Sequence, residues 1–83
     1  MELHKIEALL QAHLNCEHVK VESRDQVHFE AIVVSDVFSN LPPLKRHQLV
    51  YEVLGPLLLS SEIHALALKT WTPLEWKKRN HHV

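Results

Sequence analysis

A single cysteine, Cys16, in 83 residues has no partner for an internal disulfide, so the fold must rest on its apolar core alone. That economy of thiols suits a reducing cytosol, and a cytoplasmic location is expected. A single glycine, Gly55, excludes the glycine-rich loops that cradle phosphates and the GxxG loop with which KH-like domains grip single strands. Neither sign of charge dominates: nine Lys and Arg stand against ten Asp and Glu, net −1, which excludes a basic nucleic-acid arm and an acidic tail. Long apolar runs are missing too. The opening MELHKIEALL carries charge at Glu2, Lys5 and Glu7, so neither a signal peptide nor a membrane-spanning helix is expected. The length fits one small domain, residues 1–83 with an ordered core over about 2–79, and is too short for a multidomain enzyme. No Ser/His/Asp or Cys/His arrangement can be identified, so a non-enzymatic protein is expected. What the chain has in excess is histidine, eight residues of the commonest metal-ligating type, on a background that is 46% hydrophobic.

Leu3, Ile6, Leu10 and Leu14 recur every three to four residues and predict a helix over about 2–14. HVKVE alternates, and VHFEAIVVS is rich in β-branched and aromatic residues; with only Ser23 to Gln26 between them, the two read as an antiparallel hairpin. Pro42 and Pro43 open a second helix whose buried stripe is Val50, Leu54 and Leu58, with Tyr51 beside Val50 on the buried face. Gly55-Pro56 predicts a break in that helix followed by a short extra turn. EIHALALKTW reads as a third strand, and Thr72-Pro73-Leu74-Glu75 is a capping box that opens a last helix. The order is αββα(α)βα, an α/β (α+β) domain. Because a helix joins the second strand to the third, those strands are expected to run parallel in a three-stranded mixed sheet.

Parallel strands bring His28 and His64, each at the beginning of its strand, to the same end of the sheet. Neighbouring strands lie about 4.8 Å apart, close enough for two imidazoles to share an ion given matching register and facing. Two ligands make only a half-site, since neither CxxC nor HExxH spacing is present. A histidine at a strand end serves equally well as a surface or hydrogen-bonded residue, and spacing alone leaves both readings open.

His28-Phe29, Val33-Val34-Ser35 with Phe38, Arg46-His47 with Val50-Tyr51, Ile63-His64-Ala65-Leu66, and Thr72-Pro73 with Glu75-Trp76 together resemble the BolA family over about residues 2–79, most closely its short bacterial IbaG-type members. The resemblance implies a class II KH-like fold, which agrees with the derived order. It also implies a monothiol glutaredoxin partner and a shared [2Fe-2S] cluster, in iron-sulfur trafficking and iron homeostasis. In that setting the partner brings a cysteine and glutathione brings a thiolate. This chain brings the histidine of the HAL-type motif, His64, with His28 as the best match for a second ligand beside the hairpin loop. Histidine in place of cysteine on one iron raises a cluster's potential. The family often carries glycine in that loop and after the Phe38 position, where this chain has Arg24-Asp25-Gln26 and Ser39-Asn40; Asn40 can take up the left-handed backbone. Cys16 does not match a loop cysteine and reads as a buried small hydrophobe.

The alternative that the resemblance carries is a DNA-binding transcriptional regulator, for which Lys45, Arg46 and His47 are the nucleic-acid candidates; near-neutral charge then predicts weak, salt-sensitive binding. Arg46 either pairs with a carboxylate or contacts the partner. Trp71 and Trp76 pin the last helix to the sheet, with Trp71 the residue that can also face a partner. Lys77, Lys78 and Arg79 complement the last helix's dipole. His4, His13, His18, His81 and His82 read as solvated, and the chain is compatible with a homodimer.

Overall fold

A computed structural model describes residues 3–59 and 65–80. Helix α1 spans Leu3–Leu14, strand β1 His18–Ser23 and strand β2 His28–Val34; a 3-10 turn follows at Asp36–Phe38, then helix α2 at Pro43–Leu59, strand β3 at Ala65–Trp71 and helix α3 at Pro73–Asn80. The strands form one sheet in the order β1-β2-β3. β1 pairs antiparallel with β2, and β2 pairs parallel with β3, as the crossover requires. Glu62, Ile63 and His64, the start of the third strand expected from the sequence, lie outside the described residues.

Alternation sorts the sheet into two faces. Val19 and Val21 of β1, Phe29, Ala31 and Val33 of β2, and Leu66 and Leu68 of β3 look inward onto Ile6, Leu10 and Leu14 of α1 and Val50, Leu54 and Leu57 of α2. α1 stops at Asn15, whose φ of 49° is the left-handed conformation that asparagine tolerates, and Cys16 then turns into the core. Burial raises the Cys16 thiol's pKa, and its Sγ lies 3.5 Å from the Leu10 carbonyl oxygen. Ser35, fully buried, donates its hydroxyl to the Leu14 carbonyl at 2.6 Å and accepts the Val37 N–H, locking the end of β2 to the end of α1. Asn40 takes a φ of 67°, as its place after Phe38 suggested.

Two expectations are corrected. Helix α2 does not break at Gly55-Pro56; Pro56 sits inside it, and among the described residues the only extra turn is the 3-10 segment before the helix. Pro56 and Glu52, four apart, are both exposed, so the bond that residue 56 cannot give the Glu52 carbonyl is missing on the solvent side of the helix. Leu54 and Leu57 lie on the opposite side, buried, and their contacts hold the helix through the proline. The stripe is therefore Val50, Leu54 and Leu57; the side chain of Leu58 lies outside the described residues. Tyr51 is 39% exposed instead of buried, because the next helical position is turned about 100° from Val50; its hydroxyl donates to the Leu66 carbonyl at 3.4 Å.

Pro56→Ala restores a donor to a helix that already runs through the position, at the cost of a more flexible unfolded chain. The expected net gain is about 1–2 kcal/mol, or several degrees in Tm by thermal denaturation for a domain of this size. An unchanged or lower Tm contradicts this account of α2.

Candidate functional site

The turn between β1 and β2 presents His28. Asp25 Oδ1 accepts the backbone N–H groups of Val27 at 3.0 Å and His28 at 2.8 Å, and its Oδ2 lies 2.6 Å from His28 Nδ1. Ser23 Oγ donates to the His28 carbonyl at 2.7 Å and accepts the Gln26 N–H at 3.0 Å. Gln26 adopts a φ of 65°, a conformation that glycine takes without strain and other residues only at a cost of about 1–2 kcal/mol. The two polar clamps therefore do in this loop what glycine does in others. His28 accounts for the largest part of the lowering of the Asp25 carboxyl's pKa, well below the ordinary carboxylate range, with the two backbone N–H groups adding to it.

The parallel register sets His28 opposite Ala65, Phe29 opposite Leu66 and Glu30 opposite Ala67. An open cleft of about 1040 Å³ wraps this end of the sheet. Its walls include the inward-facing Phe29 and Leu66 as well as the outward-facing Glu22, His28 and Glu30, so it joins the two faces around the strand ends. Glu22 and Glu30 are direct cross-strand partners, which leaves one side of the cleft acidic beside the imidazole; Lys20 answers part of that charge through a 3.0 Å ion pair with Glu22. Among the described residues, no group of three or more His, Cys, Asp or Glu side chains is placed to hold a metal ion. His64 lies outside the described residues. Its chain neighbour Ala65 is the cross-strand partner of His28.

The other candidates gather at the opposite end of the sheet. Arg46, only 11% exposed, donates from Nε to the Leu41 carbonyl at 2.8 Å and from its two terminal nitrogens to Glu75 at 2.7 and 3.2 Å; Nη1 also reaches the Thr70 carbonyl at 3.5 Å. Of its neighbours, Lys45 is exposed and His47 half-buried. The capping box is formed: Glu75 accepts the Thr72 N–H at 2.9 Å while Thr72 Oγ1 accepts the Glu75 N–H at 3.2 Å. Trp71 is half-buried, 6.2 Å from the Trp76 ring and under the Arg79 guanidinium at 5.1 Å. His18, exposed as expected, also stacks on Trp76 at 5.2 Å with an 18° interplanar angle, because the β1–β2 pairing and the bonds that seat α3 bring the two rings together. Asp25 and Ser23 were not singled out by the sequence reading, although an aspartate two and three residues before amides that need an acceptor is a recognisable turn signal.

The family described as BolA-like protein matches residues 1–75. The chain belongs to the BolA family. Among its relatives, the acid stress protein IbaG of Escherichia coli is 35% identical over 94% of this chain and 92% of that one. The DNA-binding transcriptional regulator BolA of Haemophilus influenzae is 39% identical over 92% of this chain and 78% of its own. A Bol-like protein from Babesia bovis superposes with a TM-score of 0.85 at 28% identity, covering 98% of this chain and 95% of that one. In this BolA-like chain no helix among the described residues is long and apolar enough to cross a membrane.

Arg46, followed by the Thr72 N–H, lowers the Glu75 pKa from 4.5 to about 2. A depressed carboxylate pKa adds stability that is complete above the unfolded value and lost as the folded group protonates. The Tm difference between wild type and Glu75→Gln should therefore be constant above pH 4.5 and close between pH 4.5 and about 2. Glu75 is 43% exposed, so solvent screening keeps the difference small, and added salt should reduce it further. A difference that persists unchanged to the acid end contradicts the Arg46–Glu75 pin.

Proposed function

We propose that this BolA-like chain is a non-enzymatic, cytoplasmic adaptor that docks on a monothiol glutaredoxin and completes the coordination of a bridging [2Fe-2S] cluster, which it helps to traffic. The observation that carries the reading is the β2–β3 register at the open end of the sheet. That register sets His28 opposite Ala65, the residue that follows His64 in the sequence. His28 also lines the open cleft at this end of the sheet, where a partner's ligands can reach it.

The donor set suits such a cargo. Imidazole ligates iron only when neutral, and His28 sits 71% exposed with one ring nitrogen engaged by Asp25 and the other available. Because no group of three or more ligating side chains is placed to hold a metal among the described residues, the remaining ligands on this reading come from outside: a glutaredoxin cysteine and glutathione. The cluster would supply the redox chemistry; this chain supplies two nitrogen donors, a binding cleft and a docking surface, in which Arg46 and Trp71 at the far end are the partner-contact candidates.

A second reading, regulation through DNA, is favoured by the name of the H. influenzae relative. Of the three basic candidates Lys45 is free to meet phosphates, whereas the Arg46 guanidinium is already paired with Glu75. Binding on this reading is weak and falls steeply with salt.

Anaerobic reconstitution with a glutaredoxin and glutathione separates the two. The adaptor reading predicts a complex whose visible circular dichroism changes in His64→Ala and whose cluster is lost at least about tenfold faster, with a smaller effect for His28→Ala. An unchanged spectrum and lifetime in His64→Ala removes it as a ligand. Failure to form any complex, with salt-sensitive binding to duplex or single-stranded DNA, moves the assignment to the regulator.

A further inference from the structure

Asp25 divides its two carboxylate oxygens between two tasks. Oδ1 is occupied by the backbone N–H groups of Val27 and His28, which fixes how the carboxylate is turned. Oδ2 is thereby aimed at His28 Nδ1, 2.6 Å away. An ionised carboxylate offers only acceptors, so Nδ1 must carry a proton. In the neutral ring the lone pair then lies on Nε2, the reverse of the tautomer that an unassisted histidine prefers. Ser23 fixes the backbone of the same turn through the His28 carbonyl and the Gln26 N–H.

We infer that Asp25 is the positioning residue for His28: it sets the ring's orientation and its Nδ1–H tautomer, so that Nε2 is the atom presented to a soft or borderline metal centre such as cluster iron. The inference rests on the proposed role of His28 as a ligand. Carboxylate–histidine pairs orient metal ligands in just this way, and removing the carboxylate weakens metal binding by 10- to 100-fold in order of magnitude.

Two substitutions separate positioning from turn stability. Asp25→Ala removes both tasks. Asp25→Asn keeps an oxygen for the two backbone N–H groups, which only an oxygen can satisfy, and so turns its NH₂ towards the ring. That donor requires a lone pair on Nδ1 and forces the proton onto Nε2, where it blocks ligation.

The first measurement is ring-nitrogen NMR on the full chain alone, free of metal, at a pH where His28 is neutral. Wild type should show Nδ1 protonated, Asp25→Ala a shift towards the Nε2–H form, and Asp25→Asn the Nε2–H form. A wild-type ring protonated on Nε2, or a tautomer indifferent to both substitutions, overturns the inference. The second is cluster lifetime in the reconstituted glutaredoxin complex. Asp25→Asn should shorten it as far as His28→Ala does. If His28→Ala shortens the lifetime and Asp25→Asn does not, positioning by Asp25 is overturned. If His28→Ala has no effect while the NMR result holds, the fault lies in His28 as a ligand, and the inference fails with it as regards iron.

Discussion

The pairing of β2 with β3 is the constraint on which the rest of this molecule depends. β2 is the central strand, and its run AIVV is apolar on both sides, as a strand with neighbours on each edge requires. Phe29, Ala31 and Val33 face the helices, and each large side chain so buried contributes about 1.5–3 kcal/mol. A slip of one residue between β2 and β3 would carry Leu66 and Leu68 to the outer face and bring Ala67 and Lys69 inward, so the apolar pattern forbids it. The same register sets His28 opposite Ala65. The geometry proposed for the ligands is therefore inherited from core packing and needs no separate device to hold the strands in place.

The two ends of the sheet are finished differently. At one end α3 closes the structure: Arg46 bridges α2 to Glu75, Glu75 caps its own helix, and Trp71, Trp76 and His18 stack across the strand ends. Tyr51 and Arg46 also meet the Leu66 and Thr70 carbonyls, four residues apart along β3, which no further strand among the described residues pairs. An edge answered in this way offers less to an aggregating strand. At the other end the cleft stays open, lined with Glu22, Glu30, Asp25 and His28 together with Leu3 from the start of α1. Order at the closed end and access at the open end follow from one chain direction, since parallel strands must begin together.

Much of this was legible in the sequence. Periodicity located α1, the hairpin and α2, the crossover argument fixed the parallel pair, and Thr72 to Glu75 announced the capped last helix. Pro56 was misread because local propensity is a weak prior against burial: Leu54 and Leu57 on the inner side outweigh one missing bond on the wet side. Tyr51 was misplaced because the edge between a buried and an exposed helical face falls within one residue. His18 gained a partner only through the tertiary placement of Trp76. Asp25 belonged to a pattern that was present in the sequence, yet its aim at Nδ1 depends on Gln26 turning left-handed, which no composition of the loop announces.

The central claim is that this chain gives imidazole nitrogen to a cluster whose thiolates come from elsewhere. The most direct test labels histidine with ¹⁵N in this chain alone, assembles the complex with unlabelled glutaredoxin and glutathione, reduces the cluster, and measures nitrogen hyperfine coupling by pulsed electron paramagnetic resonance. The account predicts strong ¹⁵N coupling from this chain's imidazole, reduced when His64 is replaced by alanine. A reduced cluster that shows no ¹⁵N coupling contradicts it.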